Sequence, residues 1–146
     1  MNYNLNNKEY YRFSFNTDEA NVVNTDKTEF TFRGMLPINL VKDGYIKICS
    51  FASNTTGDEV YIVKLKGGVD YNKAKYWSSD FDGDPTLMVR AFNGKSSLNL
   101  TNYGLEIPPQ VINDITLEIK DSDGTGVTGT NQKMYIDLII EEMEEK

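Results

Sequence analysis

The clearest pattern in this chain lies near its end. From Ile115 to Ile119 the apolar residues Ile115, Leu117 and Ile119 fall at every second position, interleaved with Thr116 and Glu118 and followed by Lys120. A period of two marks a strand with one buried and one wet face. From Met134 to Ile140 the residues Met134, Ile136, Leu138 and Ile140 alternate with Tyr135 and Asp137, and Ile139 makes the end of the run apolar on both sides. That is the pattern of a strand inside a packed sheet. Between the two runs, Asp121 to Gly129 holds three glycines and two aspartates, which is turn chemistry. The alternation places Ile115, Leu117, Ile119, Ile136 and Leu138 in a core between two sheets.

The same period recurs upstream. Tyr10 to Phe15, Thr28 to Arg33, Tyr45 to Ser53, Glu59 to Lys66 and Leu87 to Phe92 read as strands, with Asn16 to Lys27 as a polar loop. The short loop from Asn54 to Gly57 predicts that Tyr45–Ser53 and Glu59–Lys66 pair as a hairpin, and Gly67 with Gly68 ends it. Asn93-Gly94 predicts a second hairpin, with Ser97 to Thr101 pairing back. Gly34 to Leu40 reads as a crossing segment, because Pro37 cannot serve a central ladder and holds Leu36 extended. Tyr71 to Ser79 fits either a short strand or a loop with an aromatic anchor. No apolar pattern of helical period persists for three turns. The expectation is an all-β fold, a single jelly-roll β-sandwich of eight or nine antiparallel strands. Residues 1–8 form a polar, flexible N-terminal arm, ordered if at all by a neighbour, and 9–146 form the jelly-roll domain.

Composition narrows the function. A chain of 146 residues can build a core without staples. Its one cysteine, Cys49, lies in an alternating run and is expected to be buried as a small hydrophobe. Neither a signal-peptide core nor a membrane span is seen, so the chain reads as soluble and unprocessed. With a net charge of −7 and scattered lysines and arginines, direct nucleic-acid binding is disfavoured by phosphate repulsion.

Catalytic chemistry finds little to stand on. There is no histidine, the usual general base and a common metal ligand. Cys49 therefore lacks a partner as nucleophile, and no Gly-x-Ser-x-Gly elbow or phosphate-cradling loop occurs. No catalytic residue, cofactor or metal is expected. Asp80, Asp82 and Asp84 begin like a calcium loop, but glycine comes fourth rather than sixth and the closing glutamate is missing. They read as turn formers before Pro85, as do Asp121 and Asp123. Asn54-Thr55-Thr56 and Asn99-Leu100-Thr101 match the glycosylation pattern, which this Asn/Thr-rich composition produces unaided. Tyr71, Tyr76 and Trp77 are candidate ligand or interface aromatics. They suit either a core or interface anchor or a platform that stacks on a sugar ring.

The motif Ile107-Pro108-Pro109, the strand running into Lys120–Gly124, and the run Tyr135–Glu142 together resemble the single jelly-roll penton and minor capsid proteins of large DNA viruses and virophages. The resemblance covers mainly Phe30–Ser53 and Leu105–Glu142 and rests on strand and turn patterns. It implies a virion structural protein made in the host cytoplasm, most simply a homopentameric vertex protein that meets major and minor capsid proteins. It carries over no catalytic residue. The competing expectation is a carbohydrate- or receptor-binding β-sandwich module working through Trp77.

Overall fold

Strands fill most of the computed structural model, which describes residues 10–34, 37–54, 59–72, 86–91, 104–121, 123, 124, 126 and 133–143. In chain order they are β1 (Tyr10–Asn16), β2 (Val22–Val23), β3 (Glu29–Phe32), β4 (Ile38–Leu40), β5 (Gly44–Ser53), β6 (Glu59–Gly67), β7 (Thr86–Ala91), β8 (Leu105–Ile107), β9 (Gln110–Ile112), β10 (Ile115–Asp121) and β11 (Met134–Glu142). A 3-10 turn, Thr17–Glu19, follows β1 and is capped by Asn16, whose side chain accepts from the Asp18 N–H.

Two sheets form, in the orders β1-β11-β5-β8 and β2-β3-β10-β6-β7, with β4 and β9 as a separate ribbon. Setting aside the short β2, β4 and β9, each strand of the first half bonds antiparallel to its mirror image in the second: β1 to β11, β3 to β10, β5 to β8 and β6 to β7. The chain is thus one long four-rung hairpin wrapped on itself, which is a jelly roll. The expected fold class is what forms.

The predicted hairpin between Tyr45–Ser53 and Glu59–Lys66 does not form. β5 bonds to β11 and β8 in the first sheet, while β6 bonds to β10 and β7 in the second, so the connection after Asn54 crosses between sheets. Each strand buries one face, and these faces meet across the sandwich, with the Phe51 and Tyr61 rings 5.1 Å apart. A short polar loop serves such an arch as well as a hairpin. Ser97–Thr101, the proposed partner of the Leu87–Phe92 strand, lies outside the described residues.

Four short strands escaped the pattern. β2 falls within the expected loop after Asn16, β4 within the crossing segment, and β8 and β9 flank Pro108 and Pro109. Two or three residues are too few to display a period.

The core sits between the sheets. Ile115, Leu117, Ile119, Ile136 and Leu138 are all buried there, joined by Phe30, Phe32, Ile46, Ile48, Phe51, Val63 and Leu65. Phe15 of β1 reaches Phe32 of β3, with ring centroids 4.3 Å apart. β11 is an inner strand, which accounts for its late loss of alternation. Ile139 lies on the outer face, half-buried between Arg12 and Lys47 on the flanking strands. Gly44 opens β5 where a Cβ would stand 2.5 Å from the Glu141 carbonyl oxygen.

Cys49 is half-buried, not buried. The β11·β5 ladder pairs Asp137 with Ser50 but Leu138 with Ile48, so Cys49 is the extra residue of a β-bulge. Ile46 and Ile48 point inward before it and Phe51 and Ser53 after it. The bulge absorbs a residue that sequence alternation alone would have placed by parity.

Candidate functional site

Of the three candidate aromatics, Tyr71 packs half-buried against the core. Tyr76 and Trp77 lie outside the described residues, as do Asp80, Asp82, Asp84 and the arm 1–8. Asp121 and Asp123 form a tight turn: Asp121 accepts the Asp123 N–H through its carboxylate at 2.9 Å and the Gly124 N–H through its carbonyl at 3.0 Å. Among the described residues no group of three His, Cys, Asp or Glu side chains could hold a metal ion, and no helix is long and apolar enough to cross a membrane.

The organised polar chemistry lies on the outer faces of the two sheets. On the first sheet, Asp137 sits between Ser14 of β1 and Ser50 of β5 by direct cross-strand register. Its Oδ1 accepts from the Ser14 hydroxyl, and its Oδ2 accepts from Ser50 Oγ at 2.7 Å and from Arg12 Nη2 at 2.8 Å. Burial pushes the Asp137 carboxyl up, but the hydrogen bonds from Ser14, Ser50 and Arg12 and the arginine's charge outweigh it and hold the group below its ordinary value. Further along the same face, Lys47 pairs with Glu141 and lies 5.7 Å from the Tyr45 ring centroid.

A groove of about 540 Å³ opens beside Asp137, lined by Ser14, Asn16, Glu19, Ser50, Ala52 and Tyr135 among others. Three strands supply its floor and the 3-10 turn supplies one wall. Tyr135 stands between Asn16 and Ala52 on the neighbouring strands and is 45% exposed. The aromatic at a polar position of an alternating strand was the sequence signal for this residue. The Asp137 partners, 87 to 125 residues away in the chain, gave none.

On the second sheet, Glu118 is buried on the outer face amid three ammonium groups, Lys120 at 3.5 Å, Lys64 at 3.6 Å and Lys66 at 3.7 Å. Lys64 is buried as well. In such a pair desolvation offsets much of the attraction. A second groove, about 630 Å³, runs from this cluster to the turn at Asn24–Thr28. There the Asn24 side chain is spent on the Thr28 N–H, the Glu29 N–H and the Thr28 hydroxyl.

Large apolar side chains are also exposed, mostly at the margins of the sandwich. Val22 and Val23 lie on β2, Tyr10 on β1, and Val41 with Val111 on or beside the β4–β9 ribbon, the last two 64% and 56% exposed. β1 and β2 are outermost strands of their sheets.

No protein-family model matches the chain, and no curated protein matches it. Among solved structures it is similar to a chain of infectious bursal disease virus, Gx strain, at 21% identity and a TM-score of 0.32, over 92% of this chain and 30% of that one. It is also similar to a chain of T=1 particles derived from that virus, at 17% identity and a TM-score of 0.29, over 91% of this chain and 32% of that one. A third is a chain of the T=13 particle of the same virus, at 19% identity and a TM-score of 0.31, over 91% and 31%. The chain spans about a third of the length of each.

Proposed function

We propose that this chain is a virion structural protein, a penton capsid protein that assembles as a homopentamer and meets major and minor capsid proteins around it. Its place is the virion, after synthesis in the host cytoplasm. The jelly-roll fold supports this reading. The resemblance of Ile107–Pro109, Lys120–Gly124 and Tyr135–Glu142 to such capsid proteins supplies the class.

The observation that carries the proposal is the placement of exposed apolar side chains. Val22 and Val23 on β2, Tyr10 on β1, and Val41 and Val111 on or beside the β4–β9 ribbon are exposed, and a repeated head-to-tail contact between copies would cover them. Edge strands left open in this way invite pairing with another chain. The charge of −7 per copy opposes assembly until salt screens it, over about 10 Å near 0.1 M.

Solution mass measured at rising salt, with negative-stain images of the particles, tests this. Rings of five that grow with ionic strength are expected. Val41→Asp with Val111→Asp should return the protein to monomer without lowering its melting temperature, and deletion of residues 1–8 should weaken the ring without unfolding the sandwich. A chain that stays monomeric at high concentration and all salts would end the reading.

A further inference from the structure

We propose that the groove over Ser14, Ser50, Tyr135 and Asp137 is a binding site for a neutral saccharide. The case begins with how its polar atoms are used. Ser14 and Ser50 both donate to Asp137. A hydroxyl has one proton to give and two lone pairs to accept with. Both serines therefore have fixed rotors and offer acceptor lone pairs away from the carboxylate. Asp137 uses three of about four acceptor sites, so one remains. Donors come from the other side of the groove: the Asn16 side chain accepts the Asp18 N–H through Oδ1 and leaves its Nδ2 amide for a ligand, and Tyr135 carries a phenol.

This mixture of fixed acceptors with one or two donors is what a ring of hydroxyl groups requires, since each sugar hydroxyl both donates and accepts. Beside it stands an aromatic side chain, Tyr135, 45% exposed. Tyr135 and Asp137 are same-face neighbours on β11, so their Cα atoms stand about 7 Å apart, the span of two residues along a strand. A pyranose ring stacked on Tyr135 would thus bring its hydroxyls over Asp137 and the two serines. Ala52, directly opposite Tyr135 on β5, presents a methyl group where a larger residue would cover the ring. A volume of 540 Å³ accommodates one or two sugar units.

Charge decides between saccharide classes. The carboxylate in the floor is already answered by Arg12 at 2.8 Å, so the floor does not call for a cationic ligand. Glu19 stands in the wall without an ion pair among the described residues, and it repels sialic acid and other anionic sugars. The site differs from one built on Trp77, and it does not depend on ring assembly.

The test uses the full chain on an array of immobilised oligosaccharides, with neutral hexose and N-acetylhexosamine termini alongside sialylated ones, followed by calorimetric titration. Retention on neutral glycans is expected. Tyr135→Ala should weaken binding about tenfold or more, Tyr135→Phe should stay within about threefold, and both should melt as the wild type does. Ala52→Leu fills the groove while leaving every polar group in place, and it should abolish binding. Trp77→Ala should leave binding intact. The proposal fails if no neutral glycan is retained, if sialylated glycans are preferred, if Tyr135→Ala and Ala52→Leu bind as the wild type does, or if Trp77→Ala removes binding that Tyr135→Ala preserves.

Discussion

Ser50 faces Asp137 across β5 and β11, with a hydrogen bond of 2.7 Å, although the pairing on the far side of Cys49 is set one residue out of step. The bulge at Cys49 lets the inward row Ile46 and Ile48 and the inward row Phe51 and Ser53 coexist on one strand. A regular ladder carrying all ten residues of β5 would have turned one of those rows to the solvent.

Deleting Cys49 should therefore be tolerated. Ile48 and Phe51 would keep their faces, and Ser50 would still oppose Asp137, so the ladder becomes regular without a change of register on either side. Deleting Lys47, in a regular stretch, turns Ile46 out of the core. Circular dichroism melts should show a cooperative transition for the first variant, displaced by a few degrees, and none for the second.

Leu117 is 2% exposed between the sheets and pairs with Phe30 and Leu65 on its two neighbours. Leu117→Ala should cost about 2 to 4 kcal/mol through lost burial and the cavity left behind. Urea denaturation measures it, and an unmoved midpoint would contradict the packing.

The Asp137 carboxyl is held below its ordinary value in the folded protein. Its contribution to stability is thus complete above the unfolded carboxylate range, near pH 4, and is lost as pH falls through the lower folded value. Denaturation midpoints of wild type and Asp137→Asn should differ most at neutral pH and converge in acid. Ser50→Ala should remove about 1 to 2 kcal/mol of the neutral-pH difference.

Glu118 lies within 3.5 to 3.7 Å of three lysine ammonium groups. Glu118→Ala leaves their mutual repulsion unanswered beside a buried Lys64 and should destabilise by about 3 to 5 kcal/mol. Adding Lys64→Met should recover part of that loss. A double-mutant cycle read by chemical denaturation gives the coupling, and additive effects would show that the charges act independently.

Which strands exist was legible in the sequence wherever a run of five or more residues alternated, as in Tyr10–Phe15 or Ile115–Ile119. Which strands pair was not. The loop after Asn54 is short and polar in either arrangement, and the choice between hairpin and arch is made by Ile46, Ile48 and Phe51 meeting Tyr61, Val63 and Leu65 across the core. Cys49 is half-buried because parity fails at the bulge it forms. Asp137 was visible as a polar position on a strand, but its hydrogen-bonding partners are brought to it by register between distant segments. Tyr135 is an aromatic at a polar position of its strand, a weaker signal than the cluster Tyr71, Tyr76 and Trp77, of which Tyr71 packs half-buried against the core.

The bond between β1 and β11 has a kinetic meaning. Tyr10 is paired with Glu141, and β11 lies between β1 and β5 in their sheet. On the ribosome, which adds roughly 5 to 20 residues per second, β1 and β5 must wait several seconds for their shared neighbour. The mirrored pair β6 and β7 is the innermost rung and can close first, while contacts of such long sequence separation make the outermost rung slow. Throughout that interval Phe13, Phe15, Ile46 and Ile48 have no finished sheet to enter, and apolar strands exposed in this way are prone to associate with other chains.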